Sequence, residues 1–425
     1  MDDLRRAVHE GIELVRADCT DLLRQLVATP SVTGDEVAAQ AVVEQALSDL
    51  GLEVDAWCPT EVEVADHPSF SDDGLALGSR PVVVGTLAGS AAGAPSLALN
   101  GHIDVVPVGR LDGWPVSPWN DRLDGDLLRG RGTCDMKGGL IAGIAAVAAL
   151  LRQGLSPPGQ VAVQSVIGEE TGGVGTLAAV LRGHTADAAV VLEPTGLERC
   201  PVGAGAASFR LHVDGRAAHG ALRTAGVSAV DKFVPLLAAM AALERERHEH
   251  FTHPAYAEGV LVAPVSIGRV TAGDWPSTVP EALVAEGRFG VLPGESLAEA
   301  RRSFEQAVAR AADADPWLAG HRPRVEWFEG QFAPADTPLD SPVVEVLGAA
   351  HEAVVGAPSP THGVPYGSDL RFFANDAGMP ALLYGPGDVA LAHTTDEQVS
   401  LDEVFVAAEV VALAILSWGA GGVGP

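Results

Sequence analysis

Five stretches of this 425-residue chain place metal-binding and proton-moving side chains at the ends of apolar runs or among glycines. Ser-Leu-Ala-Leu-Asn-Gly leads into His102-Ile103-Asp104, Val-Ala-Val-Gln-Ser-Val-Ile-Gly into Glu169-Glu170, and Ala-Ala-Val-Val-Leu into Glu193. Asp135 sits inside Gly130-Arg-Gly-Thr-Cys-Asp-Met-Lys-Gly-Gly139, and His393 follows the glycine-rich Tyr384–Gly387 segment, in Ala-Leu-Ala-His-Thr-Thr-Asp-Glu397. In an open α/β sheet, ligands bind beyond the carboxyl ends of the strands. Three strand ends here deliver one histidine and four carboxylates to a single edge, and a cation must offset that density of charge.

Each motif also has a plainer reading. A His-x-Asp triplet arises by chance roughly once in a chain this rich in acids, where it marks a strand-end histidine bonded to a turn. As a metal motif, His102 is the ligand and Asp104 the carboxylate that orients it. Asp135 stands before a helix, as an N-cap does. It can equally bridge two metals through its two oxygens, and the flanking glycines allow close backbone approach to a ligand. Glu169 and Glu170 point in different directions at a strand end, so one can ligate while the other faces a bound water. A solvated acidic turn is the commoner fate of such a pair; the apolar run and the glycines argue against it. His393, on its own a structural loop residue, supplies the second imidazole that the site lacks. Cys134 reads as a small buried residue.

These residues need a scaffold that brings strand ends together. Helical periodicity covers Asp2–Ala28 and Gly34–Leu50. Short apolar runs at Val82–Leu87, Ser96–Leu99, Val161–Ile167 and Ala188–Leu192 read as buried strands, with helices at Gly138–Leu151 and Gly175–Leu181 between them. That alternation predicts an α/β fold with a mostly parallel sheet. Near residue 206 the pattern changes. Ser208–Val213, Val260–Ile267 and Leu283–Gly290 alternate apolar with polar, Val325–Phe328 closes the set, and helices at Ala229–His250 and Ser296–Ala312 intervene. This predicts an antiparallel sheet with two helices, an α+β domain at 206–330 inserted into a catalytic domain formed by 1–205 and 331–425. Gln331–Pro342 reads as the return linker, followed by a helix at Pro342–Val355, a strand at Ala381–Tyr384 and a helix at Leu401–Trp418.

Composition sets the outer limits. With 47% hydrophobic and 20% charged residues the chain is globular. A formal net charge of −29 disfavours nucleic acid and anionic membrane as partners. The apolar stretches Leu140–Leu151 and Val410–Trp418 fall short of the ~20 residues that span a bilayer. Four scattered cysteines form no Cys-x-x-Cys pair. With a charged start and no apolar leader, these features predict a cytoplasmic protein with reduced thiols.

The five motifs, in this order and spacing from about residue 20 to 415, resemble the co-catalytic zinc metallopeptidase and deacylase family, M20. The family includes acetylornithine deacetylase, succinyl-diaminopimelate desuccinylase, aminoacylase and a glutamate carboxypeptidase. The resemblance implies two Zn2+ per subunit, with Co2+ or Mn2+ as substitutes. His102, Asp135 and Glu193 hold one ion; Asp135, Glu170 and His393 hold the other. Glu169 is implied as general base, Asp104 as support for His102, and a cis peptide is expected at Asp135–Met136. The inserted segment resembles the family's lid, which commonly forms a homodimer interface. There His219 matches a histidine that helps hold the substrate carbonyl oxygen, often in the neighbouring subunit's site. Arg288 matches a substrate-carboxylate arginine, with an ion pair to Glu286 or Glu281 as its alternative. Gly367 and Ser368, before Asp369, match the loop lining the substrate pocket. Ser277 stands where many members carry an asparagine, which alters an inherited substrate contact. The expected activity is amide hydrolysis, removing an acyl group from an N-acyl amino acid or related amine. Dipeptidase or carboxypeptidase action on a short peptide is the runner-up, and a metal-stabilised binding or scaffold protein the non-enzyme alternative.

Overall fold

A computed structural model of the chain describes residues 2–419. Helix α1 (Asp2–Ala28) stops just before Pro30, as expected. Helix α2 (Val37–Asp49) starts three residues later than the apolar pattern suggests. The cause is Glu36, whose carboxylate accepts the Gly34 amide and pairs with Arg80, holding this stretch in a turn. Next come β1 (Glu53–Trp57), α3 (Glu61–Val64), β2 (Val82–Leu87), β3 (Leu97–His102), β4 (Leu123–Asp124), β5 (Leu127–Arg129), α4 (Gly138–Arg152), β6 (Val161–Val166), α5 (Val174–Arg182), β7 (Ala188–Val191) and β8 (Arg199–Gly203). A second group holds β9 (Gly205–Asp214), α6 (Ala229–Glu249), β10 (Val265–Ala272), β11 (Ala282–Val291), α7 (Leu297–Asp313) and β12 (Arg324–Phe332). The chain then adds β13 (Ala335–Asp336), α8 (Pro342–Val355), β14 (Thr361–Val364), β15 (Ala381–Leu383), β16 (Gln398–Ser400) and α9 (Leu401–Ser417).

The large sheet has the order β1-β2-β6-β3-β7-β15-β8-β13, with β14 also paired to β8. Its centre, β6-β3-β7-β15, is parallel, and antiparallel pairs flank it on both sides. Every residue of β3 and β6 is buried, which is why both read as unbroken apolar runs. Helix α4 packs against both α1 and α9. It comes unusually close to the end of β7, because a Cβ on Gly139 would stand 1.8 Å from the Leu192 carbonyl oxygen. Thr133–Arg152 forms a 20-residue run long and apolar enough to cross a membrane, contrary to the expectation that no stretch reaches that length; it is buried inside the protein.

The second sheet, β10-β11-β9-β12, is antiparallel throughout. Phe209, Phe289 and Phe304 form the centre of its own core with α6 and α7. The strand expected at Val260–Ile267 is displaced to Val265–Ala272. Pro264 lacks the amide a ladder needs, and Ala263 instead donates its amide to His248. The return linker is more ordered than composition suggests: its first residues end β12, and Ala335–Asp336 join the large sheet. The short strands β1, β8 and β14 escaped the sequence reading.

Candidate metal centre and active site

The carboxyl ends of β3, β6 and β7 converge as expected. His102 ends β3, and its Nδ1 lies 2.9 Å from the Asp104 carbonyl oxygen. That oxygen can only accept, so Nδ1 carries a hydrogen, and Nε2 is the nitrogen that would face a metal. Nε2 lies 3.1 Å from Asp135 Oδ1 and 3.9 Å from Glu193 Oε1. On the other side, His393 Nε2 lies 3.3 Å from Asp135 Oδ2 and 3.1 Å from Glu170 Oε2. The two oxygens of Asp135 therefore face two different imidazoles, as a bridging ligand requires. The Asp135–Met136 peptide is cis. His393 adopts φ 61°, rare outside glycine, and its side chain is 54% exposed at the mouth of the site.

Asp104 behaves differently from expectation. Its Oδ1 is 3.8 Å from His102 Nδ1, so its carbonyl is the nearer support for the ring. The carboxylate instead accepts the amides of Glu169 (3.1 Å) and Glu170 (3.3 Å) and the Thr33 hydroxyl (2.9 Å). A buried carboxylate needs donors, and this one takes them from the turn that carries Glu169 and Glu170. That turn, Glu169–Thr171, follows Gly168 at φ 66°. Arg371 donates to the Gly172 carbonyl (2.6 Å), and Thr171 donates to Asp73 (2.9 Å).

The electrostatics call for a divalent ion. Burial pushes the Glu169 carboxyl well above its ordinary range and Glu193 to about 8, and it also raises Glu170. Asp135 and Glu170 draw His393 up to about 10. Burial opposes a charge on His102, but Asp135 and Glu193 outweigh it and raise that group too. Burial likewise opposes the Asp135 charge, yet the two imidazoles hold it below the carboxylate range. Three of the four acids and both imidazoles are shifted towards their protonated forms, and Asp135 alone towards its charged form. Donor atoms of His102, Asp135 and Glu170 lie within 4.8 Å of one another, as do those of His102, Glu169 and Glu193. Two divalent ions would match the charge of Asp135, Glu169, Glu170 and Glu193, and mixed imidazole and carboxylate donors suit them.

Two supports of Asp135 went unrecognised in the sequence. Buried Glu397 accepts the amides of Cys134 and Asp135, both at 3.2 Å, and pairs with Arg131 at 2.5 Å. Its only sequence signal was an acid four residues after His393. Buried Lys137 donates to the carbonyls of Leu26 (2.8 Å) and Thr29 (3.1 Å), tying the loop to α1; burial lowers its pKa to about 7.

A cavity of about 310 Å³ opens over the cluster. Arg288 lines it and donates to the Pro365 carbonyl at 3.0 Å, with no acidic partner among the described residues. Its alternative partner, Glu286, is occupied by Arg210 and Arg269. Gly367 lies on the wall, whereas Ser368 is buried behind it, accepting the Leu370 amide at 3.3 Å. Tyr366, not singled out by its sequence context, lines the cavity too; burial, with Glu193 adding to it, holds its phenol well above the ordinary range and so protonated. His219 and Ser277 do not line this cavity. They lie together on an exposed part of the second unit, where the Ser277 carbonyl accepts the Gly220 amide at 2.6 Å and His219 Nδ1 accepts the Ala221 amide at 3.2 Å.

A paired set of imidazole and carboxylate ligands, with a spare buried glutamate and a cationic wall, defines a divalent-metal hydrolase centre. Residues 98–417 match the family model described as Peptidase family M20/M25/M40, and the chain belongs to that family. It is 28% identical over 424 residues to N-formyl-4-amino-5-aminomethyl-2-methylpyrimidine deformylase of Bacillus subtilis, covering 96% of this chain and 94% of that one. It is 27% identical over 403 residues to succinyl-diaminopimelate desuccinylase of Gluconacetobacter diazotrophicus, covering 92% and 94%. Its fold is similar to that of a Bacillus subtilis protein described as a dinuclear metal binding peptidase, with a TM-score of 0.63 at 16% identity, covering 96% of this chain and 99% of that one.

Proposed function

We propose that this chain is a metal-dependent amide hydrolase that removes an acyl group from an N-acyl amino acid or related N-acyl amine. The observation that carries the reading is the convergence of His102, Asp135, Glu170, Glu193 and His393 around buried Glu169, under a cavity walled by Arg288. His102, Asp135 and Glu193 would hold one Zn2+, and Asp135, Glu170 and His393 the second. Such ions lower the pKa of a water toward about 7 and polarise a carbonyl. Glu169 then removes the proton of the attacking water and hands it to the leaving amine. Arg288 holds a substrate carboxylate, the charge complement that a free guanidinium offers.

The inserted unit, residues 206–330, serves as a lid. On α6, Val230, Val234 and Leu237 expose an apolar stripe at helical spacing, which supports a homodimer through this unit; light scattering should return twice the chain mass, and a monomer would refute it. In such a dimer His219 and Ser277 would serve the neighbouring site. Four free cysteines, three of them buried, suit a cytoplasmic location.

Free-amine release from N-formyl, N-acetyl and N-succinyl amino acids, beside simple dipeptides, with zinc or cobalt added, tests the reading. Release from the acylated set is the expected result. Release from dipeptides alone would make the chain a peptidase with the same residues in the same roles.

A further inference from the structure

The chain has three tyrosines, and two of their hydroxyls are used by the fold. Tyr256 donates to the Val364 carbonyl at 2.8 Å, and Tyr384 pairs with His351 Nδ1 at 2.9 Å. The Tyr366 hydroxyl has no partner among the described residues and is not sealed away, and its side chain lines the cavity above the metal ligands. The backbone around it is pinned. Val364 is held by Tyr256, Pro365 by Arg288 at 3.0 Å, and Gly367 packs so tightly that a Cβ there would stand 2.4 Å from Phe332 Cβ. An unpaired phenol on a fixed support is a pre-organised donor.

The hydrolysis proposed above builds negative charge on the substrate's carbonyl oxygen, and that charge needs a donor aimed at it. With metals bound, the acids on the cavity wall are ionised and only accept. His393 Nε2 is turned to Asp135 and Glu170. Arg288 is reserved for a carboxylate, and this chain's His219 lies outside its own cavity and would serve the neighbouring site in the proposed dimer, which leaves Tyr366 as the donor this chain supplies to its own site. We propose that Tyr366 is a catalytic residue of this chain's own site, whose phenol donates a hydrogen bond to the substrate carbonyl oxygen as it becomes the tetrahedral oxyanion. The phenol keeps its proton throughout; Glu169 alone moves one. The assignment rests on the amide-hydrolase reading.

The test uses the full-length, metal-loaded protein and Tyr366→Phe, which keeps the ring and its packing. With the N-acyl substrate turned over best by the wild type, kcat should fall by about 10²-fold, with KM within about threefold and metal content and melting curve unchanged. A phosphonate mimic of the tetrahedral state should bind the variant about tenfold or more weakly, while the carboxylate product binds both proteins equally. A kcat within about twofold of wild type would overturn the assignment. So would a raised KM at unchanged kcat, which marks a ground-state contact only. Failure of the wild type on every N-acyl and dipeptide substrate would instead overturn the hydrolase reading, and that outcome is visible before any variant is made.

Discussion

At the scale of single residues, the site divides labour by environment. Glu169 and Glu170 are neighbours, yet Glu170 reaches His393 at 3.1 Å while Glu169 makes no ion pair among the described residues. Glu169→Ala should therefore lower kcat by about 10²-fold or more while both metals stay bound, as elemental analysis would report; retained turnover would remove it from the role of base. Arg288 has no acidic partner among the described residues. Arg288→Ala should weaken carboxylate-bearing substrates by tenfold or more, roughly the ~1.5–3 kcal/mol of a charged hydrogen bond, and leave neutral amides almost unaffected. An equal loss on both would make it a structural residue. The candidate ligands were legible in the sequence, because each follows an apolar run or stands near glycines. Glu397 and the carboxylate of Asp104 were not: their partners lie on loops far away in the chain, at Cys134 and at Glu169.

At the scale of elements, the strand ends work only because helix α4 lies almost on top of one of them. The Gly139 contact with the Leu192 carbonyl sets the position of Glu193 in the next residue. Gly139→Ala must push backbone against backbone and should cost about 1–3 kcal/mol, with weaker metal binding. Gly143→Ala meets only the movable end of the Leu192 side chain, at 2.7 Å, and should cost distinctly less. Paired thermal melts and metal titrations check the contrast, and equal effects would contradict it. The sequence marks a helix at Gly138–Leu151; what its glycines approach was settled by the sheet order. The same limit explains the misplaced edge of the second sheet. The strand was expected from Val260, but Pro264 has no amide for a ladder and the strand begins beyond it, at Val265.

At the scale of the whole molecule, folding buries a cluster that lacks enough positive charge of its own. In the metal-free protein the Glu193 carboxyl titrates at about 8, above its ordinary 4.5. A raised acid pKa contributes stability that is present below the unfolded value and lost as pH climbs through the folded one. The metal-free form should therefore lose stability from this group between about pH 4.5 and 8, whereas metal binding demands the ionised ligands. The melting-temperature gap between metal-loaded and chelated protein should widen from pH 5 to pH 8; a constant gap would deny the linkage.

The sequence by itself determined the candidate ligand types, their order, the Glu169–Glu170 pair and the plan of a mostly parallel sheet with a separate antiparallel one, because periodicity and glycine-flanked motifs are local and survive without coordinates. Only the tertiary structure decided that Asp135 faces two imidazoles and that Asp104 grips the base turn. It also placed Tyr366 with an unspent hydroxyl beside the acids. Those facts depend on where separate loops end in space, and no local pattern encodes that distance.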